Sequence, residues 1–258
     1  MTRLLAWGIG AAVAAALTFS ACQNDDTTAD KSEVKLNFYS TYDGAPLVMY
    51  STVYDYPEGI KMKAQLFQYY VSDIELVQAN GEAVRLSEIE LIQFGDDLSE
   101  QQARDGYTLT FTDVPAGQYE RIRLGLGVNP ALNATQPGNY APNHPLSDNY
   151  WSWALGYIFS KIEGVADVDS DGVFSEKLTY HTGADALYRV LEFDGPFVVP
   201  TDGSDLNIDF EADLKDVLVN GNRFVDFRIP EDTQDHTIDE NLYGFIWENL
   251  ADALRLKQ

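Results

Sequence analysis

From Val34 onward apolar and polar side chains alternate: Val34, Leu36 and Phe38 are interleaved with Lys35, Asn37 and Tyr39. A period of two is the signature of a strand with one buried face. Asp43-Gly44-Ala45-Pro46 then breaks the pattern with residues that favour a turn. Further strand-like runs fall at 62–77, 83–94, 107–111, 119–128, 156–163, 186–193, 206–210 and 223–227. Between them stand Asn80-Gly81, Pro115-Ala116-Gly117, Asp171-Gly172, Asp194-Gly195-Pro196, Asp202-Gly203 and Asn220-Gly221, all turn formers. Many short strands with frequent turns predict a mainly β chain, folded as an antiparallel sandwich or barrel-like single domain.

Two segments depart from this pattern. Residues 129–149 hold Pro130, Pro137, Pro142 and Pro145 among Asn and Gly, which predicts a long irregular loop. A loop of that length in a compact domain is usually functional or disordered. Near the C-terminus, Leu242, Phe245, Ile246, Leu250 and Leu254 recur at helical spacing, and Thr237-Ile238-Asp239-Glu240 fits a capping box. One helix over 237–256, docked on the sheet, is expected.

The first residues carry a different message. After Arg3, an apolar run from Leu4 to Ala21 ends in Phe19-Ser20-Ala21-Cys22. This resembles a bacterial lipobox, with Phe in place of the commoner Leu, and Cys22 is the chain's single cysteine. The run is short and rich in Ala and Gly for a membrane span. The reading is a signal peptide at 1–21, lipidation of Cys22, a polar flexible tether at 22–33 and a folded domain at 34–258. Gln23 after the cysteine resembles lipoproteins sorted to an outer membrane. The expected location is the bacterial envelope, lipid-anchored and facing the periplasm or the cell surface.

Charge narrows the partners. With 41 acidic against 17 basic side chains the net charge is −24, which excludes nucleic acid. Lipidated Cys22 would leave no thiol for a disulfide or a thiolate site, so a metal would rest on imidazole or carboxylate. There is no Gly-x-Ser-x-Gly, P-loop or dinucleotide fingerprint, and no enzymatic activity is expected.

Three histidines are present. His144 ends the Pro-rich segment, His181 sits in Thr179-Tyr180-His181-Thr182-Gly183 at the end of an expected strand, and His236 precedes the terminal helix. No local pair forms a chelate, so the fold must bring two together. Trp151-Ser152-Trp153 places both indoles on one face if extended, either as core or as a redox-active pair. Asp167-Val168-Asp169-Ser170-Asp171-Gly172 matches the first six positions of an EF-hand loop, but Leu178 stands where the bidentate Glu belongs. It reads as an acidic hairpin turn, or as a weak Ca²⁺ site on Asp167, Asp169 and Asp171.

Several segments together carry a family resemblance. They are Leu36-Asn37-Phe38, Gly44-Ala45-Pro46-Leu47 and Gln68-Tyr69-Tyr70-Val71-Ser72-Asp73-Ile74-Glu75-Leu76, then Val114-Pro115-Ala116-Gly117-Gln118-Tyr119 and Leu124-Gly125-Leu126-Gly127-Val128-Asn129. Tyr150-Trp151-Ser152-Trp153-Ala154-Leu155-Gly156-Tyr157 and Tyr180-His181-Thr182-Gly183 follow in the same order. From Val34 to the C-terminus the chain resembles the MbnP-type copper-binding proteins. The resemblance implies an envelope protein that holds one copper through two histidines and a kynurenine, made from tryptophan with a dihaem peroxidase-like partner. His181 matches the histidine of the His-x-Gly segment, the tryptophan is Trp151 or Trp153, and the second histidine is His144 or His236. Asp148, Asp185 and Asp235 lie nearest in sequence to orient the imidazoles. Copper storage, acquisition or handover is the implied role. The competing reading is a metal-free sandwich whose 129–149 loop, Tyr140, Tyr150 and Trp151 hold a glycan or a protein.

Overall fold

A computed structural model describes residues 30–151, 156–236 and 240–257. Its main strands are β1 (Lys31–Tyr42), β2 (Lys61–Val77), β3 (Ala83–Gln93), β4 (Tyr107–Pro115), β5 (Gly117–Leu126), β6 (Ser160–Asp167), β7 (Glu176–Thr182), β8 (Arg189–Val199), β9 (Leu206–Asp213) and β10 (Gln234–Asp235). Among the described residues the α-helices are α1 (Glu100–Asp105), α2 (Pro130–Asn133), α3 (Leu214–Leu218) and α4 (Glu240–Ala253).

The alternation that opens the chain folds as expected. Val34, Leu36 and Phe38 are fully buried on one face of β1. The strand begins at Lys31, so residues 31–33 belong to the sheet rather than to the tether. Ser32 is buried, with its hydroxyl donating to Pro200 O, and Lys31 and Ser32 pair with β4. β1 lies between β4, antiparallel, and β9, parallel. This parallel pairing departs from the antiparallel expectation. It puts Phe38 opposite Phe210, ring on ring at 5.0 Å. Arg255–Leu256 and Ala45–Pro46 complete this five-stranded sheet.

The second sheet is built on β2, whose seventeen residues are enough to serve several neighbours. Residues 61–69 pair with β6, 71–77 with β5, and 68–77 with β3. Residues paired twice use both edges, so β3 lies on one edge of β2 while β6 and β5 share the other. β7 and then β10 extend the sheet beyond β6, and β8 extends it beyond β5. The two sheets face each other as a single-domain sandwich, with Phe193 of β8 meeting Phe210 of β9 edge-on at 5.1 Å.

Helix α4 buries Leu242, Ile246, Trp247 and Leu250, and the Trp247 indole N–H donates to Leu187 O at 2.6 Å. The capping-box residues 237–239 lie outside the described residues. The helix stops at Ala253 rather than running to 256, because Arg255–Leu256 pairs with β9 as a strand. The 223–227 run forms only the two-residue strand Arg223–Phe224, and the 186–193 run begins as a short 3-10 turn before β8.

The Pro-rich segment is more regular than its composition predicts. It holds α2 and two 3-10 turns, Pro137–Asn139 and Pro145–Ser147, each opened by a proline at its first position. Asn129 caps α2 by accepting from Leu132 N–H. Tyr70, on β2, ties the segment down: its hydroxyl donates to Pro145 O at 2.6 Å and accepts from Asn149 Nδ2. Among the described residues, no helix is long and apolar enough to cross a membrane.

Candidate metal centre

The β6–β7 hairpin creates the centre. Its register sets Lys161 opposite His181 and Glu163 opposite Thr179. On β7 the alternation sends Leu178 and Tyr180 into the core, at 2% and 1% exposure, and leaves Thr179 and His181 on the outer face. Beyond β7, the parallel β10 pairs Tyr180 with Asp235. The next residue, His236, therefore arrives beside His181. The two rings meet edge to face, with centroids 5.2 Å apart and planes at 84°.

Glu163 reaches along this face to His181, its Oε1 lying 2.8 Å from Nε2. A carboxylate accepts, so the His181 tautomer that satisfies this contact carries its proton on Nε2 and leaves Nδ1 as a lone-pair donor. Burial lowers the His181 pKa below its ordinary value, against the opposing pull of Glu163, and Lys161 and His236 add smaller effects in the lowering direction. The resulting neutral imidazole is the form that ligates metal.

The tryptophan segment is seated against the same strand. Tyr150–Trp151 pairs with Gly156–Tyr157 as a two-stranded ribbon, with Trp151 opposite Gly156 and only 6% exposed. Beyond it, Phe159 N–H donates to Thr182 O at 2.6 Å and carries the ribbon into the β6–β7 pairing. Gly183 makes this approach possible. A Cβ there would lie against Tyr157 O, 3.0 Å from Phe159 N and 3.1 Å from Ile158 Cα. The glycine of the His-x-Gly segment is thus required by backbone proximity rather than by an unusual φ.

His144 has another role. Its Nδ1 accepts from Leu146 N–H at 3.1 Å, capping the Pro145–Ser147 turn, and its ring stacks on Tyr140 at 4.2 Å. It lines a cavity of about 640 Å³ between the Pro-rich segment and the sheet. Lys161 and Gln68 also line it. Gln68 pairs with Lys161, which pairs with His181, so the cavity adjoins the imidazole pair across a single strand position.

Of the expected residues, the structure brings His181 and His236 together and places Trp151 on the adjoining ribbon. Cys22 and Trp153 lie outside the described residues. Among the carboxylates considered as imidazole partners, Asp185 accepts from Asn133 Nδ2 and Asp148 from Asn149 N–H. Asp235 is buried immediately before His236. Glu163 was missed because it is 18 residues from His181 in sequence. The turn at Asp171-Gly172 was the available signal, since folding 156–163 back around it brings Glu163 to the histidine strand. Asp167, Asp169 and Asp171 do converge, each offering an oxygen within 4.8 Å of the others. Of the aromatics proposed for a glycan or protein, Trp151 is buried, Tyr140 and Tyr150 are half-buried, and Tyr140 is stacked under His144.

A family model described as MbnP matches residues 31–237. The chain belongs to the MbnP family. MbnP from Methylosinus trichosporium has a similar fold, with a TM-score of 0.52 over 75% of this chain and 79% of that one, at 17% identity. No curated protein matches the chain. The MbnP match takes in His144, Trp151, Glu163, His181 and His236, and it ends before α4.

Proposed function

We propose that this chain is a copper-binding lipoprotein of the bacterial envelope, acting in copper storage, acquisition or handover rather than as an enzyme. The observation that carries the reading is the meeting of His181 and His236 beside a glutamate that fixes one ring's tautomer. Two ring nitrogens on one metal sit roughly 3–4 Å apart, given metal–nitrogen bonds of about 2 Å. The His181 and His236 ring centroids lie 5.2 Å apart, which puts the two imidazoles side by side on one face. Imidazole is a good donor to copper, whereas carboxylate oxygen suits harder cations.

His181 and His236 supply two donors in this reading. An oxidised Trp151 or Trp153 supplies a third, in the form of kynurenine. A dihaem peroxidase-like protein is the proposed oxidant of the indole, and lipid on Cys22 is the proposed anchor. Family membership and the placement of Trp151 on the ribbon beside Gly183 support this arrangement. No observation favours the glycan- or protein-binding alternative.

The test is copper per chain in protein purified from its native envelope after a mild chelator wash. About one copper is expected, lost in His181→Ala and in His236→Ala and retained in His144→Ala. Unchanged copper in the His181 and His236 variants would refute the site. Loss in His144→Ala alone would move the second ligand to the Pro-rich segment.

A further inference from the structure

We propose that the β6–β7 turn is a second metal site, selective for Ca²⁺. Asp167 ends β6, and Asp169 and Asp171 follow on the turn, their carboxylates converging within 4.8 Å. Three like charges at that separation repel one another, in a chain that is already strongly acidic. Nearby cations do not offset them. Lys61, the register partner of Asp167, is paired with Asp55, and Lys63 sits over the Phe174 ring at 4.5 Å. None of the three aspartates forms a salt bridge among the described residues.

A second observation is independent of this clustering. Asp167 is only 4% exposed, and its Oδ1 is buried without a hydrogen-bond partner among the described residues. Its other oxygen accepts from Gly172 N–H at 2.9 Å, which anchors the carboxylate at the turn with the two exposed aspartates. A buried carboxylate oxygen lacking any donor is unfavourable, and a bound cation is a ligand that would satisfy it.

The donors identify the cation. All are carboxylate oxygens, with no imidazole or sulfur, so the turn is matched to hard ions and not to copper. The loop is an open hairpin with exposed carboxylates rather than a rigid octahedral cage, which favours Ca²⁺ over Mg²⁺. Leu178, at the position of the usual bidentate Glu, points into the core at 2% exposure. Water must complete the coordination, and the affinity belongs with weak extracellular modules, a Kd of about 10⁻⁴–10⁻³ M. Ca²⁺ there would clamp the hairpin whose two strands carry Glu163 and His181.

The experiment is equilibrium dialysis of the chelator-stripped full chain against ⁴⁵Ca²⁺, with melting curves in Ca²⁺, Mg²⁺ and chelator. One Ca²⁺ per chain is expected, and at tenfold excess over Kd a rise in Tm of about 3–5 °C that Mg²⁺ does not reproduce. Asp169→Asn with Asp171→Asn replaces exposed groups and relieves the repulsion, so the double variant should match or slightly exceed the wild-type Tm in chelator while losing tenfold or more in Ca²⁺ affinity. His181→Ala should bind Ca²⁺ as the wild type does, which separates this site from the copper reading. No bound Ca²⁺ in the wild type, unchanged binding in the double variant, or an equal response to Mg²⁺ would each overturn the proposal.

Discussion

Replacing Gly183 by Ala tests whether the Trp151 ribbon and the His181 strand form one structural unit. The new Cβ would press on Tyr157 O, Phe159 N and Ile158 Cα, all backbone atoms. No rotamer change relieves such a contact. The ribbon itself must shift, and the Phe159 N–H to Thr182 O bond is next to the strain. Overpacking of this kind costs about 1–3 kcal/mol, and disturbing the adjacent hydrogen bond adds about 1 kcal/mol. In a domain of this size, a loss of 2–4 kcal/mol lowers Tm by roughly 4–16 °C. Gly138→Ala is the matched control: an added Cβ there meets nothing within 4 Å and φ is not positive. It should stay within about 0.5 kcal/mol of wild type. Both variants would be followed by thermal melting and by tryptophan emission, to which Trp151 of the ribbon contributes alongside Trp247 of α4. A Gly183→Ala protein with wild-type Tm and emission would refute the claim that the ribbon is pressed against the histidine strand.

Two other substitutions probe the chemistry. Glu163→Gln keeps a hydrogen-bonding group of the same shape beside His181 Nε2 but removes the carboxylate that fixes its tautomer; copper affinity should fall about 10–100-fold with the fold intact by circular dichroism, and undiminished affinity would remove Glu163 from the site. Asp97 is buried with Oδ2 unpartnered among the described residues, and burial, then Asp96 and Asp105, raise its pKa from 3.8 to about 6. The folded state therefore binds its proton more tightly than the unfolded chain, so the group's unfavourable contribution grows as pH rises from about 4 through 6. Asp97→Asn should stabilise the protein at pH 7–8 and make little difference below pH 4 in denaturant melts, and a gain that is the same at both pH values would refute the assignment.

How far the sequence was legible depended on the range of the interaction. Alternation at Val34, Leu36 and Phe38 and helical spacing at Leu242, Ile246 and Leu250 are local signals, and burial follows both. The pairing of β1 with β9 joins segments about 170 residues apart, and alternation says nothing about which strand is the partner or in which direction. Composition alone predicts an irregular loop over 129–149, whereas at a first helical position the fixed φ and missing N–H of Pro are compatible with a helix start, as at Pro130, Pro137 and Pro145. His144 and His236 were equivalent by spacing. The difference came from β10, a strand of two residues, too short to leave a periodic signal.

The candidate centre sits where strand pairing and alternation together fix an outward side chain. A metal ligand must be fixed in direction yet face outward, and a strand flanked on both sides achieves this through its ladder while alternation turns every second residue out. β7 is held by β6 on one edge and by β10 on the other. His181 is the penultimate residue of β7, where Thr182 and Gly183 meet the tryptophan ribbon, and Asp167 closes the opposite end of the hairpin on β6. The imidazole of His181 and the aspartate cluster thus occupy opposite ends of one hairpin. A shift in register by one residue would turn His181, Glu163 and Lys161 into the core together and bring Tyr180 and Ile162 out. The burial of Tyr180 and Ile162, at 1% and 2% exposure, therefore holds the outward histidine in place as firmly as any contact the histidine makes itself.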